Sequence, residues 1–294
     1  MNDKIFVTGA AGQLGQLVIK HLLARGVTPD RILAGTRNPE KLADLAAAGI
    51  EVRRADFEDL HGLTEAFSGA GTVLIISTDA LDGADTRLKQ HRQAVSAAVS
   101  AKVKRLAYTS LPNPDSSRLT FAPDHLGTEQ AIKATGLPYA IFRNGWYQEN
   151  LLRALPHALE HGQWYSAAEG GRISYVARED IAEAIAVALA NPATESRTYT
   201  FTGSEALTTQ DIARLASQAT GKPLTVAHVS DEAFAAGLKA AGVPEIFVSV
   251  LVSAEAETRA GNLSLVTDHV EALTGHASRG LAEYFREARS ALVG

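Results

Sequence analysis

The sequence predicts an α/β protein built on a doubly wound parallel sheet, with a smaller, mostly helical C-terminal lobe. Two observations carry this. Short apolar runs alternate with helical stretches from Ile5 to Gly145, the pattern of a parallel sheet covered by helices, and beyond Asn150 that rhythm gives way to mainly helical segments. The second observation is Thr8-Gly9-Ala10-Ala11-Gly12-Gln13-Leu14-Gly15, which follows the run Ile5-Phe6-Val7 and precedes the helical pattern Leu17, Val18, Leu22, Leu23. Glycines at this spacing turn the chain sharply, let the backbone approach a pyrophosphate and let the helix pack closely on the sheet. The helix N-terminus then offers N–H groups and a positive dipole end to the anion. The fold is therefore expected to be Rossmann-like with a dinucleotide site at its first turn; a merely tight strand-to-helix turn is the alternative.

The remaining elements follow in order. Arg31 to Thr36 reads as a second strand ending at Arg37-Asn38-Pro39. An NAD-preferring domain places an acidic residue about 20 positions past the glycines to hold the ribose 2′-hydroxyl. Here Thr36 and Arg37 stand in that place and suit a 2′-phosphate, which favours NADPH over NADH; the alternative for Arg37 is a solvated loop residue. Glu40 to Ala48 is helical, and Ile50 to Asp56 is a third strand. Asp56, at its end, suits either an adenine amine or the N-cap of the next helix. After a short helix from Leu63 to Phe67, Thr72 to Ile76 is the continuous apolar run of a doubly covered strand. Ser77 and Thr78 end that run, where ligands bind in open parallel sheets.

A helix from about Asp85 to Ala101 leads to the fifth strand, Val103 to Ser110, which presents Thr109 and Ser110 at its carboxyl end. A loop with Pro112, Pro114 and Pro123 precedes a helix from His125 to Thr135, and Tyr139 to Asn144 forms the sixth strand. Leu151 to His161 is helical, Ile173 to Val176 extended, Arg178 to Leu189 helical, and Thr198 to Gly203 a strand returning to the sheet. Helical segments run from Thr208 to Gly221 and from Asp231 onward. The expected division is a nucleotide domain over 1–150 with 174–203 returning to it, and a substrate lobe over 151–173 and 204–294.

Composition narrows the class. A net charge of −5 with 21% charged residues gives no reason to expect nucleic acid. The absence of cysteine excludes disulfides, thiolate zinc sites and cysteine nucleophiles. The nine histidines are scattered; His157 and His161 share a helical face without the carboxylates of a hydrolytic zinc site, so no metal is expected. With no basic-then-apolar leader and no apolar run long enough for a bilayer, the chain reads as a soluble cytoplasmic protein with no membrane partner.

Taken together, Phe6-Val7-Thr8-Gly9-Ala10-Ala11-Gly12-Gln13-Leu14-Gly15, Arg37-Asn38-Pro39-Glu40-Lys41, Arg54-Ala55-Asp56-Phe57, Ala107-Tyr108-Thr109-Ser110-Leu111 and Gly136-Leu137-Pro138-Tyr139 resemble the NmrA-like branch of the atypical short-chain dehydrogenase/reductases. Within it, the run Arg143-Asn144-Gly145-Trp146-Tyr147 with Glu149-Asn150 is similar to the type 2 NAD(P)H:quinone oxidoreductases and the triphenylmethane reductases. The resemblance covers nearly the whole chain. It implies an NADPH-dependent reductase without flavin or metal, acting on a small electron acceptor. It also implies diphosphate contacts at Gly9, Ala11, Gly12, Gln13, Leu14 and Gly15, a 2′-phosphate contact at Arg37, and further cofactor contacts at Ser77 and Thr78. Residues Tyr139 to Asn144, including Phe142 and Arg143, would line the nicotinamide side. Asn144, Trp146 and Tyr147 would shape the substrate pocket together with Ser110, which stands at the place of the family's catalytic serine; simple core packing is the alternative for the two aromatics.

One departure bears on mechanism. Ordinary short-chain dehydrogenases use Tyr-x-x-x-Lys, and alignment back from Gly136-Leu137-Pro138 puts Phe121 at the tyrosine and His125 at the lysine. A positioned acid contributes roughly 10²–10⁴-fold to reduction of a ketone. A quinone or a cationic dye accepts hydride without one, because the product anion is delocalised or the charge neutralised. The expectation is direct hydride transfer to an electron-poor acceptor, with water, His125 or Tyr147 delivering the proton. His125 equally suits cofactor ribose or a helix start. Rival readings are a reductase of a triphenylmethane dye, an imine or an activated carbonyl, and a non-catalytic NADP-binding redox sensor. The sequence leaves a homodimer open.

Overall fold

The computed structural model describes residues 3–82 and 85–293; Met1 and Asn2, part of the leader reading, lie outside them. In chain order the elements are β1 (Lys4–Val7), α1 (Gln13–Ala24), β2 (Ile32–Thr36), α2 (Ala43–Ala47), β3 (Glu51–Arg54), α3 (Leu60–Ala66), β4 (Ala70–Ile75), α4 (Thr86–Ser100), β5 (Arg105–Ser110), α5 (Ala122–Ala134) and β6 (Tyr139–Asn144). They continue with α6 (Leu155–His161), β7 (Gln163–Ser166), β8 (Arg172–Ile173), α7 (Arg178–Ala190), β9 (Arg197–Phe201), β10 (Leu207–Thr208), α8 (Thr209–Thr220), β11 (Thr225–His228), α9 (Asp231–Ala240), α10 (Glu245–Arg259), α11 (His269–Thr274), α12 (Leu281–Glu287) and α13 (Arg289–Val293).

The chain divides into two compact units, the first comprising Met1–Pro114, Pro123–Arg143 and Ile181–Tyr199. The main sheet has the order β3-β2-β1-β4-β5-β6-β9, and β1 through β6 pair in parallel. The strands run outward in one direction from β1 to β3 and in the other from β4 to β6. The direction reverses between β1 and β4, the place where an open sheet binds its ligand at the carboxyl ends of the strands. β2 and β4 are buried along their whole length, as their unbroken apolar runs require. The unit's core joins Phe6, Leu33, Phe67, Val73, Leu106 and Tyr108, with Phe6 and Phe67 meeting edge to face at 4.8 Å.

The second unit comprises Asp115–Ala122, Asn144–Asp180 and Thr200–Gly294. Its core gathers Leu151, Leu155, Leu159, Ile212, Ala216 and Phe285. Helix α8 opens with a reciprocal capping box between Thr208 and Asp211.

Several local expectations are corrected. The helix expected from His125 starts at Ala122, because Pro123 falls in its first turn, where a missing N–H costs nothing. The single helix expected from Glu40 splits into a 3₁₀ turn, Pro39–Leu42, and α2. The cap of α3 is Asp59, whose carboxylate accepts from Gly62 N–H at 2.9 Å; Asp56 instead accepts from Glu58 N–H at 3.2 Å. Of the extended stretch Ile173 to Val176, Ile173 pairs with Leu207 and Val176 forms an isolated bridge to Tyr147. The parallel pair β7 and β11 was not expected, because strands of four residues joined across some sixty positions leave no local period.

Candidate functional site

In the first unit, the turn from β1 to α1 is built from backbone. Gly9 has a φ of +59°, Gly12 N–H donates to the Gly9 carbonyl at 2.9 Å, and Ala10 N–H donates to the Gly35 carbonyl at 2.9 Å. A Cβ on Gly15 would lie 2.4 Å from the Gly9 oxygen and 2.8 Å from Ala10 Cα, so α1 approaches β1 more closely than any side chain permits. Gly12 caps α1 without a side chain, and no acidic residue occupies the first turn. The opening N–H groups, which have no partner within a helix, are therefore left for an anion, with Gly12 and Gln13 exposed and Ala11 half-buried beside them. Leu14 instead turns into the core.

Arg37 follows β2 in an exposed position and, among the described residues, makes no ion pair or hydrogen bond. A pyrophosphate-sized anion at α1 and a phosphate at Arg37 both fit what these residues leave unsatisfied. Asp56 is half-buried at the end of β3, 3.6 Å from the Arg54 guanidinium. At the exit of β4, Ser77 N–H donates to Thr109 Oγ1 at 2.9 Å, and that hydroxyl donates to Ser77 Oγ at 3.3 Å. Thr109 is thus committed to the neighbouring turn. Thr78 N–H donates to Nε2 of His91 at 3.0 Å, while Thr78 Oγ1 is buried without a hydrogen-bond partner.

Ser110 donates to Glu129 Oε1 at 2.8 Å. Glu129 is fully buried and also accepts from Arg143 through Nε at 2.9 Å and Nη2 at 2.8 Å, a bidentate pair, with Lys133 at 3.2 Å. Burial by itself raises this carboxyl; the Arg143 and Ser110 hydrogen bonds and the Arg143 charge outweigh it, and the net shift is downward. His125 is buried, with Nδ1 2.8 Å from Tyr108 Oη and Nε2 3.0 Å from Arg87 Nη2. Burial, then the charge of Arg87, holds its imidazole well below its ordinary value. Tyr139 starts β6 and packs against the core, its N–H on Ser196 Oγ at 3.2 Å. Phe142 is fully buried and stacks on Tyr199 at 5.9 Å.

In the second unit, Asn144 is buried at the end of β6, its Nδ2 3.5 Å from Tyr147 Oη and its Oδ1 without a partner. The guanidinium of Arg178 lies over the Tyr147 ring, 4.7 Å from its centroid. That pairing is set by backbone: Val176 N–H donates to the Trp146 carbonyl at 3.0 Å, Gln148 N–H to the Val176 carbonyl at 2.9 Å, and Arg178 N–H to the Glu149 carboxylate at 3.1 Å. Trp146 packs against the core of its unit.

Sequence reasoning missed Glu129, His91 and Arg178. The spacing of His125, Glu129 and Lys133 on one helical face was the available signal for the first. Among the described residues, no three metal-ligating side chains cluster and no helix is long and apolar enough to cross a membrane.

Comparisons of sequence and structure set this architecture beside known proteins. Quinone oxidoreductase 2 of Escherichia coli is 38% identical over 279 residues, 95% of this chain and 96% of that protein. The crystal structure of the NADPH-dependent quinone oxidoreductase from the same organism, complexed with NADPH, superposes with a TM-score of 0.92, covering 96% of this chain and 99% of the other. The Citrobacter sp. triphenylmethane reductase complexed with NADP(H) is 34% identical with a TM-score of 0.92, covering 97% of this chain and all (100%) of that one. The NmrA-like family pattern matches residues 1–281. With the strand order, the glycine turn and a match spanning nearly the whole chain in agreement, the protein belongs to the NmrA-like family.

Proposed function

We propose that this protein is a flavin-free, NADPH-dependent reductase that delivers hydride to a quinone-like, electron-poor acceptor. The observation that carries the reading is the state of the groups a ketone reductase would use as acid. Ser110 gives its proton to Glu129, and both ring nitrogens of His125 are engaged within a buried cluster. Without a positioned acid, ketone reduction forgoes roughly 10²–10⁴-fold, whereas a quinone loses little because its reduced anion is delocalised. The 38% identity to a quinone oxidoreductase supports the same acceptor class.

NADPH supplies the hydride. The first-turn N–H groups of α1, from Gln13 to Gly15, hold its diphosphate, and Arg37 takes the 2′-phosphate as a charge-assisted pair. Ser77 and Thr78 complete the cofactor side, and the buried Ser110–Glu129–Arg143 network fixes the ends of β5 and β6. Asn144 orients the Tyr147 hydroxyl, and the delocalised anion left by hydride transfer takes its proton from water. Trp146 contributes an apolar wall, and the fold's contribution is proximity and orientation. His125 holds Tyr108 in place without touching the reacting atoms.

The test is NADPH oxidation, followed by absorbance, with a simple benzoquinone, a triphenylmethane dye and an aliphatic ketone. Quinone turnover at least 10²-fold above the ketone is expected. Comparable ketone turnover would overturn the acid-free mechanism. NADPH binding without turnover of any acceptor would point to a redox sensor.

A further inference from the structure

The turn leaving β4 is held by three side chains from three different elements. Ile76 N–H donates to Thr8 Oγ1 at 2.8 Å, Ser77 N–H to Thr109 Oγ1 at 2.9 Å, and Thr78 N–H to His91 Nε2 at 3.0 Å. Thr8, Thr109 and His91 are all buried, so these hydrogen bonds are shielded from competing water. The same turn carries a buried hydroxyl, Thr78 Oγ1, with no partner. Leaving such a group unsatisfied is costly, so a turn fixed in this arrangement is prepared for something that satisfies it.

His91 acts as an acceptor in one tautomer only, and the surrounding cluster selects it. Nε2 must be bare to receive Thr78 N–H, so the ring proton sits on Nδ1, 2.9 Å from Thr128 Oγ1, and that hydroxyl in turn donates to the Asp124 carbonyl at 2.6 Å. On the other side Arg87, which only donates, faces Nε2 of His125; the His125 proton is therefore on Nδ1, toward Tyr108 Oη at 2.8 Å. Tyr108 Oη also lies 3.3 Å from His91 Nδ1, so the one proton on that nitrogen faces both the Thr128 and the Tyr108 oxygens. Two directed runs result, one from Arg87 through His125 to Tyr108 and one from His91 through Thr128 to the Asp124 main-chain carbonyl. Burial, followed by the charge of Arg87, pulls the His91 imidazole down to about 3, so it stays neutral and keeps its bare nitrogen throughout the working pH range.

Strand order says which part of a ligand meets this turn. β2, with Arg37 after it, lies on one side of β1, and β4 lies on the other. A dinucleotide with its 2′-phosphate at β2 and its diphosphate at the β1–α1 turn extends its remaining half toward β4. We propose that His91 is a positioning residue for the nicotinamide half of the cofactor: by accepting Thr78 N–H it fixes the Ser77–Thr78 turn so that Thr78 Oγ1 meets a hydroxyl or amide of that half. This rests on the NADPH reading above.

The experiment compares binding of NADPH, followed by its fluorescence, with binding of adenosine 2′,5′-bisphosphate, which lacks the nicotinamide half, followed by calorimetry. His91→Leu is expected to weaken NADPH about tenfold, the equivalent of one buried hydrogen bond, and to leave the bisphosphate within about twofold. His91→Gln, whose Oε1 also accepts, is expected to recover most of the loss, and the KM for NADPH should move with little change in kcat. A merely structural histidine would weaken both ligands alike; equal losses, or no loss for NADPH, would overturn the proposal. Should His91→Leu fail to fold, Thr109→Val, which removes the acceptor of Ser77 N–H, carries the same comparison. Wild-type protein that binds neither ligand would overturn the dinucleotide reading itself, and this inference with it.

Discussion

Arg37 shows how much a single residue makes legible. Its place just after β2 was readable from the glycine spacing upstream, and the structure adds that its charge is exposed and unengaged among the described residues. A charge-assisted hydrogen bond contributes about 1.5–3 kcal/mol, so Arg37→Ala should weaken NADPH roughly ten- to hundredfold and leave NADH nearly unchanged. Parallel titrations with the two cofactors check this, and equal losses would remove Arg37 from the 2′-phosphate. Ser110 behaves differently: the sequence marks its position at the end of β5, but only its hydrogen bond to Glu129 reveals that its proton is committed. Likewise His125 was visible as a titratable residue in the right region, and the structure adds that it is buried with both ring nitrogens engaged by Tyr108 and Arg87.

Among the elements, α1 and its turn were the most legible, because strand, glycine turn and helix follow one another within about twenty residues. The close approach has a measurable consequence. Gly15→Ala puts a methyl group 2.4 Å from the Gly9 carbonyl and 2.8 Å from Ala10 Cα, both backbone atoms that cannot swing aside. Overpacking of this kind costs about 1–3 kcal/mol, so the urea midpoint should fall; because the same shift displaces the first-turn N–H groups, NADPH affinity should fall with it. An unchanged midpoint would mean that α1 has room to retreat. Element boundaries were read less well. Pro123 looks like a loop residue until it is seen in the first turn of α5, and two aspartates three positions apart compete for the cap of α3, which geometry awards to Asp59.

For the molecule as a whole, Glu129 links the carboxyl ends of β5 and β6 to α5 through a buried carboxylate paired with Arg143. Its pKa in the folded state lies below the unfolded value of 4.5, so its contribution to stability is complete above that value and is lost as pH falls through the folded pKa. Removing one partner of such a buried pair costs about 3–5 kcal/mol. Glu129→Gln should therefore be less stable than the wild type at pH 7, and the gap between their urea midpoints should close as pH falls below the unfolded carboxylate range. A gap that stayed constant down to strongly acidic pH would show that the carboxylate charge is not what stabilises this region.

The sequence by itself determined the α/β class, the doubly wound strand order, the glycine turn and the cation after β2. Each is written in neighbouring residues, as hydrophobic period, turn chemistry and strand-to-helix spacing. The tertiary structure alone decided the pairings of Ser110 with Glu129, Thr78 with His91 and Tyr147 with Arg178, and the short parallel pair of β7 and β11. These join residues from different elements, up to some sixty positions apart. A side chain's partner across such a separation is chosen by how helices and strands pack, which leaves no periodic mark along the chain.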